Sequence, residues 1–194
     1  MAMTETPTEQ KAAVRERIRT VLSELTRDQR EEAAVEICAR LIEQPEWKAA
    51  NSILLFAPMQ DEPNVRPLLH AALDAGKLTA LPRFNAQTGH YEAAVVGDLA
   101  KDFIEGKFGI LEPAPTCQMA DLKRLDLVLV PGVAFDWHGH RLGRGKGFYD
   151  RLLVAVSGKT CGVAFDQQLV STLPVEPHDV RLNCILTPSH WLEL

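Results

Sequence analysis

The stretch RLGRGKGFYD, running from Arg141 to Asp150, sets Arg141, Arg144 and Lys146 among Gly143, Gly145 and Gly147, and closes on Phe148, Tyr149 and Asp150. Glycine lacks a Cβ, so it permits tight turns and close approach of a ligand to the backbone. Cations beside exposed backbone N–H groups are what an oxyanion such as phosphate requires. Clustered in one loop, they repel one another unless an anion neutralises them. Asp150, at the start of the helix expected next, has the chemistry to hold a Mg2+ bridging phosphate oxygens, because hard cations prefer carboxylate and water. An architectural alternative exists. The glycines then make a tight connection, Phe148 and Tyr149 fill the core, and Asp150 pairs with Arg151 or Arg144 at the surface. The loop is not a Walker A motif, since Gly147 rather than Ser or Thr follows Lys146, and Phe148 breaks a dinucleotide fingerprint.

LDLVLVPG precedes the loop as a short apolar run and GFYDRLLVAVSG follows as a helix, so the loop belongs at the carboxyl end of a buried strand, where open α/β sheets bind ligands. SILLFA, KLTALP, KTCGVAF and CILT have the same strand length, and NVRPLLHAALDAG reads as a helix closed by Gly76. The alternation predicts an α/β fold with a mainly parallel sheet. Thr88-Gly89 between two mixed runs predicts an antiparallel hairpin. At the N-terminus, Thr6-Pro7-Thr8-Glu9 and Thr26 with Gln29 form two capping boxes, and Val14, Ile18, Leu22 and Leu25 share a face, as do Ala33, Ile37 and Leu41. A helical hairpin ending before Pro45 is expected. Its polar face carries Lys11 and Arg15 one turn apart, which by itself suggests a solvated surface.

The 194 residues suit one α/β domain with a continuous apolar core. A net charge of −5 disfavours a general nucleic-acid or anionic-membrane binder. Cys38, Cys117, Cys161 and Cys184 are scattered without a C-x-x-C pair, so a reducing compartment is expected rather than a disulfide framework or zinc knuckle. MAMTETPTEQ lacks the apolar core of a signal peptide and no run has membrane-spanning length, so a cytoplasmic location is expected.

PGVAFDWHGHRLGRGKGFYDRLL closely resembles the signature of the 5-formyltetrahydrofolate cyclo-ligases, also called 5,10-methenyltetrahydrofolate synthetases. MQDEPNV, LPRF, KFGILEP, VAFDQQLV and LPVEPHDVRLN stand in that family's order along nearly the whole chain. The resemblance implies a single three-layer α/β domain spanning residues 1–194, akin to the ribose-isomerase and CoA-transferase group. It implies an enzyme that uses ATP and Mg2+ to convert 5-formyltetrahydrofolate into 5,10-methenyltetrahydrofolate, ADP and phosphate, by phosphorylating the formyl oxygen. The corresponding expectation is a monomer acting on a small-molecule folate, polyglutamylated forms included, without nucleic-acid or membrane partner.

By the same resemblance, Lys11 and Arg15 match an ATP phosphate contact, and Gly143, Arg144, Gly145, Lys146, Gly147, Phe148, Tyr149 and Asp150 match the nucleotide and substrate loop. Lys146 and Arg144 are assigned to the transferring phosphate and, with Tyr149, to catalysis. Glu62 and Tyr149 are assigned to the pterin, with Ala57, Phe108, Phe148 and the Gly145–Gly147 segment completing the folate site. Without the resemblance, Glu62 is a helix-start carboxylate beside Pro63 and Phe108 a core residue. Asp150 and Asp179 are the Mg2+ candidates. Two departures stand out: Asn183 replaces an aspartate common in the family, and Phe148 replaces a tyrosine, leaving Tyr149 as the polar aromatic. Two rival readings remain, a sugar-phosphate or CoA-handling enzyme of similar fold, and a nucleotide- or folate-binding relative without turnover.

Overall fold

The computed structural model describes residues 6–106 and 111–194. Helix α1 spans Pro7–Ser23 and α2 spans Arg27–Glu43, each opened by the capping box read from the sequence. At α1, Thr6 Oγ1 accepts the Glu9 N–H at 3.3 Å while Glu9 Oε2 accepts the Thr6 N–H at 2.8 Å. The α2 helix stops at Glu43, and Pro45 then opens a short helix the sequence reading lacks, α3 (Pro45–Ala49). Proline at a first helical position loses no bond there, so it starts a helix as readily as it ends one.

The remaining elements, in chain order, are β1 (Ser52–Leu54), α4 (Arg66–Asp74), β2 (Leu78–Asn85), β3 (His90–Val96), β4 (Phe103–Glu105), β5 (Leu111–Pro113), β6 (Leu127–Val130), β7 (Ala134–Asp136), β8 (Arg141–Leu142), α5 (Phe148–Leu153), β9 (Lys159–Val163), β10 (Leu169–Val170), β11 (Cys184–Leu186) and β12 (Trp191–Glu193). The main sheet has the order β12-β11-β9-β6-β1-β2-β3. Its inner neighbours pair in parallel, and the edge pairs β2·β3 and β11·β12 are antiparallel. The mainly parallel α/β class follows as expected.

Strand periodicity sends alternate residues to opposite faces, and helices cover both. Leu127 and Leu129 of β6 join Ile37 and Leu41 of α2, Trp47 of α3 and Leu68 of α4, whereas Val128 and Val130 join Leu152 and Leu153 of α5. On α1, Ile18 and Leu22 are buried against Phe165 and Leu173, with Val14 and Leu25 at the margin. A second, three-stranded sheet, β10-β7-β8, lies beneath α1 and carries the chain into the glycine loop.

Two boundaries differ from the sequence reading. The KLTALP run continues through Pro82 to Asn85; β1 reaches only Leu54↔Ala80, so Pro82 pairs with Ala93 where β2 lacks its β1 neighbour and the missing N–H costs nothing. Helix α5 ends at Leu153 instead of running to Gly158. A Cβ on Gly158 would lie 1.9 Å from the Leu125 carbonyl oxygen. The chain must therefore leave the helix early to bring this glycine against the backbone that precedes β6. Among the described residues, no helix is long and apolar enough to cross a membrane.

Candidate active site

The glycine loop leaves β8 and enters α5. Gly145 has φ +93° and Gly147 φ +63°, conformations that favour glycine. Buried Gln168 donates to the carbonyls of Gly132 at 2.8 Å and Val133 at 3.1 Å, tying the segment after β9 to the segment after β6. From α1, Arg15 Nε donates to the Gly143 carbonyl at 2.9 Å, and its guanidinium lies under Gly145. The bare periodicity makes Arg15 a solvated charge; the tertiary fold places it on the loop.

Lys11, one turn earlier, is 7% exposed. Its Nζ donates to Asp179 at 2.6 Å and Glu176 at 2.7 Å. Burial alone pulls the ammonium pKa down, but the two carboxylates outweigh it and the net direction is upward. Burial likewise opposes ionisation of Asp179, yet Lys11 and the Glu176 N–H hold its carboxyl below the usual range.

Arg144 reaches across to the loop after β1, where Asp61 accepts from it at 2.6 Å and Glu62 at 3.0 Å. The two acids differ in environment. Burial pushes Glu62 up despite the Met59 N–H and Arg144, whereas for half-exposed Asp61 the arginine outweighs burial and the pKa falls. Glu62 also lines a cleft of about 460 Å³ with Met59 and Phe165. Ala57 packs against the core on this same post-β1 segment.

Asp150 contacts neither Arg151 nor Arg144. It accepts from Arg141 at 2.5 Å, and the Arg141 side chain, only 4% exposed, also stacks 5.8 Å from the Tyr149 ring. The architectural alternative is thereby corrected in its partner: Arg141 lies on β8 and points inward, so it reaches the first turn of α5 before either of the other arginines. Arg141 is also the one cation of the loop that faces the interior. Phe148 meets Phe84 at 5.7 Å and Tyr91 at 5.1 Å, making an aromatic group in which its lost hydroxyl leaves nothing unpaired. Tyr149 is the partly buried residue that packs against both apolar clusters of the main sheet, and burial drives its phenol pKa well up. Lys146 is exposed, and its ammonium has no ion pair or hydrogen bond among the described residues.

Asn183 belongs elsewhere. Its side-chain oxygen accepts from Thr160 N at 2.8 Å and Thr160 Oγ1 at 2.9 Å, bridging the amino ends of β9 and β11, the opposite end of the sheet from the loop. Phe108 lies outside the described residues. Among the described residues, no three His, Cys, Asp or Glu side chains form a metal cage. Asp150 and Asp179 each keep one carboxylate oxygen outside their ion pairs with Arg141 and Lys11, a donor set that fits an ion carried mainly by phosphate and water. Sequence reasoning left Asp61, Phe84, Gln168 and Glu176 unassigned. All four stand in the quoted segments MQDEPNV, LPRF, VAFDQQLV and LPVEPHDVRLN, which was the available signal.

A mainly parallel sheet covered by helices on both faces, with a glycine loop that carries Arg141, Arg144 and Lys146, defines the α/β class. Comparison with known proteins narrows this. The chain belongs to the 5-formyltetrahydrofolate cyclo-ligase family, matched over residues 7–188, and is a ligase by that membership. It is similar to the 5-formyltetrahydrofolate cyclo-ligase of Mycolicibacterium smegmatis, 34% identical over 156 residues that cover 74% of this chain and 77% of the relative. The Escherichia coli K12 enzyme of the same name is 32% identical over 169 residues, 85% of this chain and 93% of that one. The solved structure of 5,10-methenyltetrahydrofolate synthetase from Aquifex aeolicus superposes with a TM-score of 0.86 at 30% identity, covering 95% of this chain and 92% of that one.

Proposed function

We propose that the chain closes 5-formyltetrahydrofolate to 5,10-methenyltetrahydrofolate at the expense of ATP. The observation that carries this reading is the Arg15 bond to the Gly143 carbonyl, which sets α1, with Lys11 one turn before Arg15, against the glycine loop that bears Arg144 and Lys146. A formamide oxygen is a poor leaving group. In the proposed reaction it attacks the γ-phosphorus, the bond to the bridging oxygen breaks, and ADP departs. The neighbouring folate nitrogen then attacks the activated carbon and gives up its proton to solvent, and the C–O bond breaks to release phosphate. Phosphoryl transfer of this kind needs charge neutralisation and in-line placement more than a protein nucleophile.

Lys146 and Arg144 neutralise the transferring group in this reading, and Lys11 and Arg15 hold the remaining phosphates. The Asp150 oxygen that does not meet Arg141, and the Asp179 oxygen 3.7 Å from the His178 ring, would hold the Mg2+ that accompanies the nucleotide. Glu62 and Tyr149 face the pterin, beside the Phe84–Tyr91–Phe148 group. The burial-raised Glu62 carboxyl suits hydrogen bonding to a neutral heterocycle. The same reading carries a single domain of the ribose-isomerase and CoA-transferase group, a monomer in the cytoplasm, and acceptance of polyglutamylated folate.

The deciding experiment is the absorbance of methenyl product formed from 5-formyltetrahydrofolate with and without ATP. Product is expected only with ATP and Mg2+, and its loss on chelation should be reversed by added Mg2+. ATP-independent turnover would favour a sugar-phosphate or CoA-type chemistry, and binding without product a non-catalytic role. A second expectation concerns Lys11→Gln/Arg15→Gln. Its KM for ATP should rise on the order of tenfold or more while KM for folate stays within about twofold, since one ligand alone loses binding energy. Gln keeps helix propensity near that of the original residues. Equal rises for both substrates would count against α1 as a nucleotide contact.

A further inference from the structure

Every cation expected at the phosphates except Lys146 and Arg15 is held by a carboxylate. Lys11 is the extreme case, nine-tenths buried between two acids. Those acids are not equivalent. Asp179 is 12% exposed, and the oxygen that meets Lys11 also accepts the Glu176 N–H at 2.8 Å, so the turn itself fixes it. The Glu176 side chain is 33% exposed and meets no partner but Lys11 among the described residues. One ammonium against two carboxylates leaves a charge of −1 where an anion is supposed to dock. Release of Glu176 into water brings that charge to zero and restores its hydration, whereas release of Asp179 breaks the turn.

We propose that Glu176 is a positioning residue that competes with a polyphosphate for Lys11, and that the Lys11–Glu176 ion pair opens when the polyphosphate binds. The inference rests on the assignment of Lys11 to ATP. Glu176 orients the buried ammonium, and by competing with the incoming anion it weakens nucleotide binding. Removing its charge should therefore tighten binding, opposite to the outcome for a residue that merely supports the fold.

Isothermal titration with inorganic tripolyphosphate and with a non-hydrolysable ATP analogue tests this on four proteins: wild type, Glu176→Gln, Lys11→Gln and the double variant. Glu176→Gln is expected to bind both probes about five- to tenfold more tightly, from loss of one partly screened carboxylate near the anion. In the Lys11→Gln background the same substitution should give less than about a twofold gain. Equal or weaker binding by Glu176→Gln overturns the displacement while leaving the nucleotide assignment intact. A full gain in the Lys11→Gln background also overturns it, since the effect would then be one of net charge. No binding of either probe by wild type and Glu176→Gln alike would remove the nucleotide assignment and the inference with it.

Discussion

Lys146→Ala is expected to lower kcat at least about a hundredfold with little change in thermal stability. Lys146 is the one loop cation without a partner among the described residues, so its ammonium supports no contact of the fold and is available to the transferring phosphate of the proposed reaction. Removing one charge that stabilises a transition state costs roughly 3 kcal/mol or more. The side chain projects from a glycine-flanked loop, so truncation opens no cavity, and the melting temperature should move by about 2 °C at most. Arg144→Ala is a poorer probe, because it would also strand Asp61 and buried Glu62 without their shared cation. Single-turnover measurements at saturating ATP would show whether the loss lies in the chemical step. Near wild-type turnover there would remove Lys146 from the reaction.

The second large effect is on stability. Asp136 is fully buried at the end of β7 and accepts four hydrogen bonds: from His138 N at 2.9 Å, from His140 N and Leu173 N at 3.0 Å, and across 3.0 Å from the His140 ring. Asp136→Ala strands three backbone N–H groups and leaves a small void. At about 1–3 kcal/mol for each unsatisfied buried donor, partly relieved by entering water, a net loss of roughly 3–5 kcal/mol is expected. For a chain of this size that is a fall in melting temperature on the order of 10 °C. The milder substitution Asp136→Asn keeps one acceptor oxygen and should recover part of the loss. Burial opposes ionisation of Asp136, but its donors win and its folded pKa is depressed. The stability it gives is thus present above the unfolded carboxyl value, about 3.9, and disappears as pH falls through the lower folded value. In acid, the gap between wild type and Asp136→Ala should close. A melting shift below about 2 °C at neutral pH would contradict this account.

What the sequence made legible was local. The capping boxes at Thr6 and Thr26, the hairpin at Gly89 and the buried β6 and β9 runs depend on neighbours within a few residues, where propensity and periodicity operate. The pairings that assemble the site do not. Lys11 and Glu176 are 165 residues apart in sequence, Arg144 and Asp61 83 apart, and no periodicity encodes which carboxylate meets which cation. Asp150 illustrates the difficulty at short range: three arginines lie within nine residues, and only the inward direction of β8 selects Arg141. The early end of α5 was hidden for the same reason, since it answers to the backbone before β6 rather than to its own residues. The roles proposed for Lys11 and Glu62 come from the resemblance, because spacing alone assigns them none.

Tyr149 gives the site an unusual division of labour. It is the partly buried side chain that touches both apolar clusters, so it joins them like a plug besides the pterin contact proposed for it, while its immediate neighbours Phe148 and Asp150 turn to Phe84 and Arg141. Selection acting on the loop is therefore uneven along three consecutive residues. Lys146 can change in charge and alter what the loop holds without touching the core, whereas a change at Arg144 also strands buried Glu62, and any change at Tyr149 is felt by both layers at once. A lineage that moved to a different anion would be expected to rewrite the cations first and to leave the plug in place.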